Sequence, residues 1–144
     1  MNLASKPSRG RLIGYWIATV LVAFAMGSGG VADVLRIQPV VEGMTALGYP
    51  VYFCIILGVW KVLGAIAILI PGTPRLKEWA YAGIMFDLTG AAASHLFVGQ
   101  PVGEAIAPVI LTAIMFASWA LRPPCRMLAG PCCSVERQPV PVST

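Results

Sequence analysis

Two ionisable side chains, Lys61 and Asp87, lie inside apolar runs of the sequence. Lys61 lies near the middle of a run from Val51 to Ile70 that contains no other charge. A helix of that length spans a bilayer, so the ammonium group would lie near the midplane, where an unpaired charge costs at least about 2.5 kcal/mol. We therefore expect Lys61 to face protein or water and to have an acidic partner.

Asp87 is the expected partner, because it lies within the next apolar run, Trp79 to Val98. If the two runs are antiparallel helices, Lys61 lies roughly 14 Å and Asp87 roughly 12 Å from the turn between them. Small residues share the helix faces of both charges, and such residues allow close packing of membrane helices. The sequence predicts an ion pair between Lys61 and Asp87, which either fixes the register of the helices or lines a polar pocket that carries protons or binds a ligand head group.

A possible extension of this pocket lies two turns beyond Asp87, where Ser94 and His95 continue the polar face toward the outer surface. Glu42 and Glu104 are expected on the same side, and either could form a pH-sensitive pair with His95. The alternative is an interfacial histidine that contacts water and lipid head groups.

The sequence does not contain the usual ligands of a redox centre. A single histidine cannot supply both axial ligands of a membrane b-type haem, and no cysteine pair has C-x-x-C spacing. We expect no catalytic residue, no metal site and no resident cofactor. Cys125, Cys132 and Cys133 are expected to be free or lipidated cytoplasmic thiols.

Composition places the chain in the membrane. Of its 144 residues, 58% are hydrophobic and 11% are charged, and the mean hydropathy is +0.80. These values lie outside the usual range of soluble domains. The net charge of +4 comes from basic residues at the ends of apolar runs rather than from a patch, so nucleic acid is not an expected partner.

The predicted fold is all-α, an integral membrane four-helix bundle. The expected spans are about 12–28, 51–70, 79–98 and 105–120, with a short amphipathic helix on the membrane surface between the first two. Basic residues cluster on one side of these spans, so both termini are expected in the cytoplasm.

Outside the spans, residues 1–11 form a basic cytoplasmic N-terminus and 122–144 a disordered cytoplasmic tail, which leaves 12–121 as the membrane domain. A cleavable signal peptide is an alternative interpretation of the first span.

Several segments resemble the DoxX-like family of small four-helix bacterial membrane proteins. They are the Gly-rich exit from the first span, LGYPVYF from Leu47, and the block KVLGAIAILIPGTPRLKEWAYAGIMFDLTGAAASHL from Lys61. Residues that match the family-like pattern are Lys61, Glu78, Trp79, Tyr81, Gly83, Ala91 and His95. The resemblance covers residues 12 to about 120 and implies a four-helix bundle in the bacterial inner membrane, with some relatives tied by name to terminal quinol oxidase or thiosulfate:quinone oxidoreductase complexes.

Three functions are compatible with these observations. The first is an accessory or structural subunit that supports a membrane redox complex, in which Lys61 and Asp87 hold two helices together. The second is a quinone-linked oxidoreductase subunit whose polar pocket at Lys61, Asp87 and His95 binds the quinone head group. The third is a small proton-coupled carrier, which would act as a dimer because four spans are few for a transporter.

Overall fold

The computed structural model describes residues 8–123 and Met127, and this part of the chain is all-helical, as predicted. Five α-helices follow one another without a strand in the described residues: α1 (Arg9–Leu35), α2 (Gln38–Ala46), α3 (Val51–Leu69), α4 (Pro74–Phe97) and α5 (Val102–Ala120). The predicted disordered tail, with Cys125, Cys132 and Cys133, lies outside the described residues except for Arg122, Pro123 and Met127.

The four long helices pack side by side around a common core. α1 lies between α3 and α5, and α4 packs mainly on α5 and more loosely on α3. The core is apolar and is formed by side chains from all four helices: Val22, Ala23, Met26, Ala65, Ile68, Tyr81, Ile84, Leu88 and Met115. Large apolar side chains also cover the outer surface, as expected where a bundle faces lipid rather than water.

Three of the helices, α1, α3 and α5, are long and apolar enough to cross a membrane. α4 has 24 residues but is less apolar than these three, because charged residues occupy its first turns and Asp87 its middle. Helix α2 contains no buried residue and lies close to the position expected for the amphipathic surface helix.

Helix α1 differs from the expected first span, because it continues to Leu35 instead of ending near Ser28. The glycines that follow Ser28 were interpreted as the exit from the helix. The helix in fact ends at Arg36, which adopts a left-handed conformation with φ of 50° and donates its N–H to the carbonyls of Ala32 and Asp33. Asp33 is therefore part of this long helix and not of a polar segment that follows the first span.

The extension of α1 allows a close crossing with α3 at Gly30 and Gly58. A methyl group added to Gly30 would lie 2.8 Å from the Gly58 carbonyl oxygen and 2.9 Å from the Lys61 Cβ. Only glycine fits at this separation, and such crossings are a usual way for membrane helices to pack. The crossing brings the last two turns of α1 next to the centre of α3.

Lys77 fixes the turn between α3 and α4. Its side chain is fully buried, and its ammonium group donates to the carbonyl oxygens of Ala67 at 3.1 Å, Ile68 at 2.8 Å and Ile70. These carbonyls belong to the C-terminal end of α3, where no further turn of helix supplies donors and where a cation is favoured. Lys77 thus caps the C-terminal end of α3 from the neighbouring helix.

The α1–α3 crossing can be tested with two neighbouring glycines. Gly30→Ala is expected to destabilise the protein by about 1 to 3 kcal/mol, because the methyl group would push two backbones apart. Gly29→Ala is the matched control, since nothing lies within 4 Å of a methyl group there, and we expect no loss of stability, because alanine favours a helix over glycine by up to about 1 kcal/mol. Unfolding in detergent, followed by circular dichroism, measures both. Equal effects of the two variants would contradict the close crossing.

Candidate functional site

Lys61 lies between two carboxylates that come from different helices. Its Nζ donates to Asp33 Oδ2 of α1 at 2.9 Å and lies 3.9 Å from Asp87 Oδ2 of α4. The side chains are 22%, 9% and 19% exposed, in the order Lys61, Asp33, Asp87. We call these three residues the ion cluster.

Asp33 is the nearer partner of Lys61, and sequence reasoning missed it. The residue was assigned to a polar segment outside the first span, so its side chain was not considered for a contact within the bundle. The spacing of residues in the sequence indicates this role of Asp33. Met26, Gly30 and Asp33 are spaced by four and three residues and therefore share one face of a continuous helix. Met26 and Gly30 are both buried, and Asp33 continues that buried face.

Asp87 is within ion-pair range of Lys61, but it is not hydrogen-bonded to it. The 3.9 Å separation exceeds the distance of a hydrogen bond. The Lys61 ammonium is the ion-pair partner of Asp87 within residues 8–123. The Asp87 carboxylate accepts no hydrogen bond from that part of the chain. The oxygens of Asp87 can therefore accept hydrogen bonds from a further group.

A cleft of about 560 Å³ opens between α3 and α4 beside these charges. Both Lys61 and Asp87 line it, whereas Asp33 does not. Its walls are otherwise apolar and partly aromatic: Leu57, Trp60, Leu63, Gly64 and Ala67 from α3, Leu76, Trp79, Ala80, Gly83, Ile84 and Phe86 from α4, and Met26 from α1. Trp60, Trp79 and Phe86 are more than half exposed, so the cleft opens to the outside of the bundle.

The residues expected to extend the pocket lie elsewhere and do not line this cleft. His95 Nδ1 lies 2.6 Å from Gln100 Oε1 in the turn before α5. Ser94 donates to the Gly90 carbonyl and accepts from Tyr49 Oη at 2.8 Å.

Glu42 and Glu104, the two acidic residues considered as partners of His95, are both exposed. Neither forms an ion pair with His95 in the described part of the chain. The structure therefore brings Lys61 and Asp87 to one cleft and leaves Ser94, His95, Glu42 and Glu104 outside it.

A second polar cluster lies at the end of the bundle where α5 ends. Arg122 is buried and pairs with Glu78 at 2.8 Å, and its guanidinium lies 5.0 Å from the centre of the Tyr81 ring. The Tyr81 hydroxyl lies 2.7 Å from that of Ser118, which lies 2.7 Å from Thr19 Oγ1. This chain of contacts ties α4 to α5 and α1, and sequence reasoning missed it because Arg122 was assigned to the tail.

The cleft fits an organic molecule better than a metal ion. The described residues contain no group of three His, Cys, Asp or Glu side chains close enough to hold a metal. The volume of the cleft lies within the roughly 300 to 1,000 Å³ of small-molecule sites, and its mostly apolar wall with two convergent charged groups is typical of them.

The fold and the ion cluster define a small α-helical membrane protein with charged residues inside its apolar bundle. A sequence profile of the DoxX-like family matches residues 17–118, which is more than half of the chain. The chain therefore belongs to the DoxX-like family, as its sequence segments indicated. Among curated proteins and among solved structures, none matches it.

A double-mutant cycle can separate the two carboxylates of the ion cluster. We expect a coupling energy of about 1 to 3 kcal/mol between Lys61→Met and Asp33→Asn, because their contact includes a charge-assisted hydrogen bond. The coupling between Lys61→Met and Asp87→Asn should be smaller, since that pair is joined by charge alone. The measurement is the free energy of unfolding in detergent for each single and double variant. A larger coupling with Asp87 than with Asp33 would contradict this geometry.

Proposed function

We propose that this protein is an accessory subunit of a membrane redox system and that its α3–α4 cleft binds the head group of a lipophilic, quinone-like ligand. The observation that carries this proposal is the opening of an otherwise apolar cleft onto Lys61 and Asp87. A bundle packed tightly at Asp87 would have left no room for a ligand. The cleft is large enough for a substituted six-membered ring together with the first part of its tail.

The chemistry of the cleft suits such a head group. Lys61 uses one N–H on Asp33, which leaves N–H donors for an oxygen atom on a bound ring. Trp60, Trp79 and Phe86 offer aromatic surfaces against which a ring can stack. The open side of the cleft leaves space for an alkyl tail to continue among the lipids.

The contact between Asp33 and Lys61 supports a structural role for the other half of the ion cluster. It joins α1 to α3 directly at the glycine crossing, and an unpaired lysine at this depth would be costly. In this proposal Asp33 holds the bundle together and Asp87 faces the ligand. Both functions rely on the same ammonium group.

The proposal requires α4 to cross the membrane as a fourth span, with both termini in the cytoplasm of a bacterium. Its 24 residues would extend about 36 Å, which is more than the hydrocarbon thickness of a bilayer. Its outward-facing residues include Phe86, Leu96 and Phe97, each more than half exposed. The charged side chains Lys77, Glu78 and Asp87 are directed toward neighbouring helices, as their hydrogen bonds and ion pairs indicate.

The four-span arrangement predicts opposite exposure of the two turns that flank α4. Arg75→Cys and Pro101→Cys are introduced separately into a variant in which the four native cysteines are replaced. A membrane-impermeant maleimide should label Pro101→Cys in intact spheroplasts and Arg75→Cys only after permeabilisation. Labelling of both residues from the same side would contradict a transmembrane α4.

Binding in the cleft predicts that a bulky side chain at Gly83 blocks the ligand. Gly83 lines the cleft and has nothing within 4 Å of an added methyl group, so Gly83→Leu should fill space without disturbing the backbone. The measurement is saturable binding of a tritiated decyl-benzoquinone, in its oxidised or reduced form, to the protein in nanodiscs, after subtraction of binding to empty nanodiscs. We expect at least a tenfold loss of affinity.

Gly90→Leu is the matched control, because Gly90 lies on the same helix, has equally open surroundings and does not line the cleft. It should bind as the unmodified protein does. An equal effect of the two leucine variants, or no saturable binding of either redox form to the unmodified protein, would overturn the proposed function.

A further inference from the structure

The ion cluster has one more carboxylate than it has cations. Asp33 and Asp87 supply two carboxyl groups against the single ammonium of Lys61. The short contact at 2.9 Å assigns Lys61 to Asp33 as a neutral pair. Asp87 is left as the surplus carboxylate, and it is the one that lines the cleft.

The surplus carboxylate lacks a hydrogen-bond donor in the part of the chain that the structure describes. The nearest is the Lys61 ammonium at 3.9 Å, and water is scarce at this depth in a bilayer. A buried or half-buried carboxylate is favourable only when donors satisfy its oxygens. A ligand that enters the cleft is therefore in a position to supply the missing donor.

We propose that the cleft selects hydroxyl-bearing head groups over those that only accept hydrogen bonds, and that Asp87 is the residue that determines this specificity. The inference rests on the proposed function, because it concerns the ligand of the same cleft. It assigns separate roles to the two carboxylates: Asp33 is the fixed counter-ion of Lys61, and Asp87 accepts a hydrogen bond from the ligand.

The geometry explains why a hydroxyl group fits better than a carbonyl group. A hydroxyl oxygen placed between Lys61 and Asp87 accepts an N–H from the ammonium and donates its own O–H to the carboxylate. A carbonyl oxygen in the same place also accepts from Lys61, but it faces the Asp87 oxygens with a lone pair and supplies no donor. The carboxylate would then remain unsatisfied and would repel the ligand oxygen.

The test compares three ligands with the same ring and tail and different donor capacity. They are decyl-1,4-hydroquinone, its dimethyl ether and decyl-1,4-benzoquinone, each measured at pH 7.5 in the absence of oxygen with the full-length protein in nanodiscs. We expect the hydroquinone to bind at least tenfold more tightly than the other two, the ratio that one hydrogen bond to a charged group provides.

Three variants assign the preference to one carboxylate. Asp87→Asn should reduce the ratio between hydroquinone and benzoquinone to about one, because the neutral amide is a weaker acceptor and can donate to a carbonyl. Asp87→Glu should retain the preference for the hydroquinone. Glu104→Gln removes an exposed carboxylate that does not line the cleft and should leave the ratio unchanged.

The outcomes distinguish this inference from the proposed function. If none of the ligands binds saturably, the proposed function itself fails. If all three bind in the cleft with equal affinity, the cleft is a ligand site but the selectivity assigned to Asp87 is wrong. An unchanged ratio in Asp87→Asn, or a ratio that falls in Glu104→Gln, would also overturn the assignment.

Discussion

The fold depends on the need to pair a lysine inside an apolar bundle. Lys61 lies in the middle of an otherwise uncharged helix, and the free energy of leaving it unpaired in hydrocarbon is large compared with most single contacts. Asp33, in the last turns of α1, pairs with Lys61, with 2.9 Å between Asp33 Oδ2 and Lys61 Nζ. That contact is possible only because α1 continues past its glycines and because Gly30 and Gly58 allow the two helices to cross closely.

The close packing of α3 against α1 leaves the opposite face of α3 less well covered. α4 is held mainly by α5 and by the polar contacts around Arg122 and Glu78, so it does not need to pack tightly on α3 along its whole length. The cleft is the consequence of this unequal packing. Its position beside Lys61 and Asp87 places two charged groups at an otherwise apolar gap between two helices.

Much of this arrangement could be predicted from the sequence, because long apolar runs, turn residues and an isolated charge each have a direct physical meaning. The all-helical fold and the positions of Lys61 and Asp87 within their helices depend only on local patterns. The role of Asp33 does not, because a glycine-rich segment can end a helix or serve as a close crossing, and only the neighbouring helix decides which. Lys77 and Arg122 show the same limit, since a basic residue next to an apolar run can mark a membrane side and also be fully buried as a cap or an ion pair.

The two ends of the α3–α4 pair are tied by different contacts. At one end Lys77 holds α4 to the last carbonyls of α3, and at the other the hydroxyl of Tyr49, just before α3, bonds Ser94 of α4. A ligand of the kind proposed would pass the exposed rings of Trp60, Trp79 and Phe86 to reach Asp87, so its concentration in the lipid, rather than in water, would govern how often the cleft is filled.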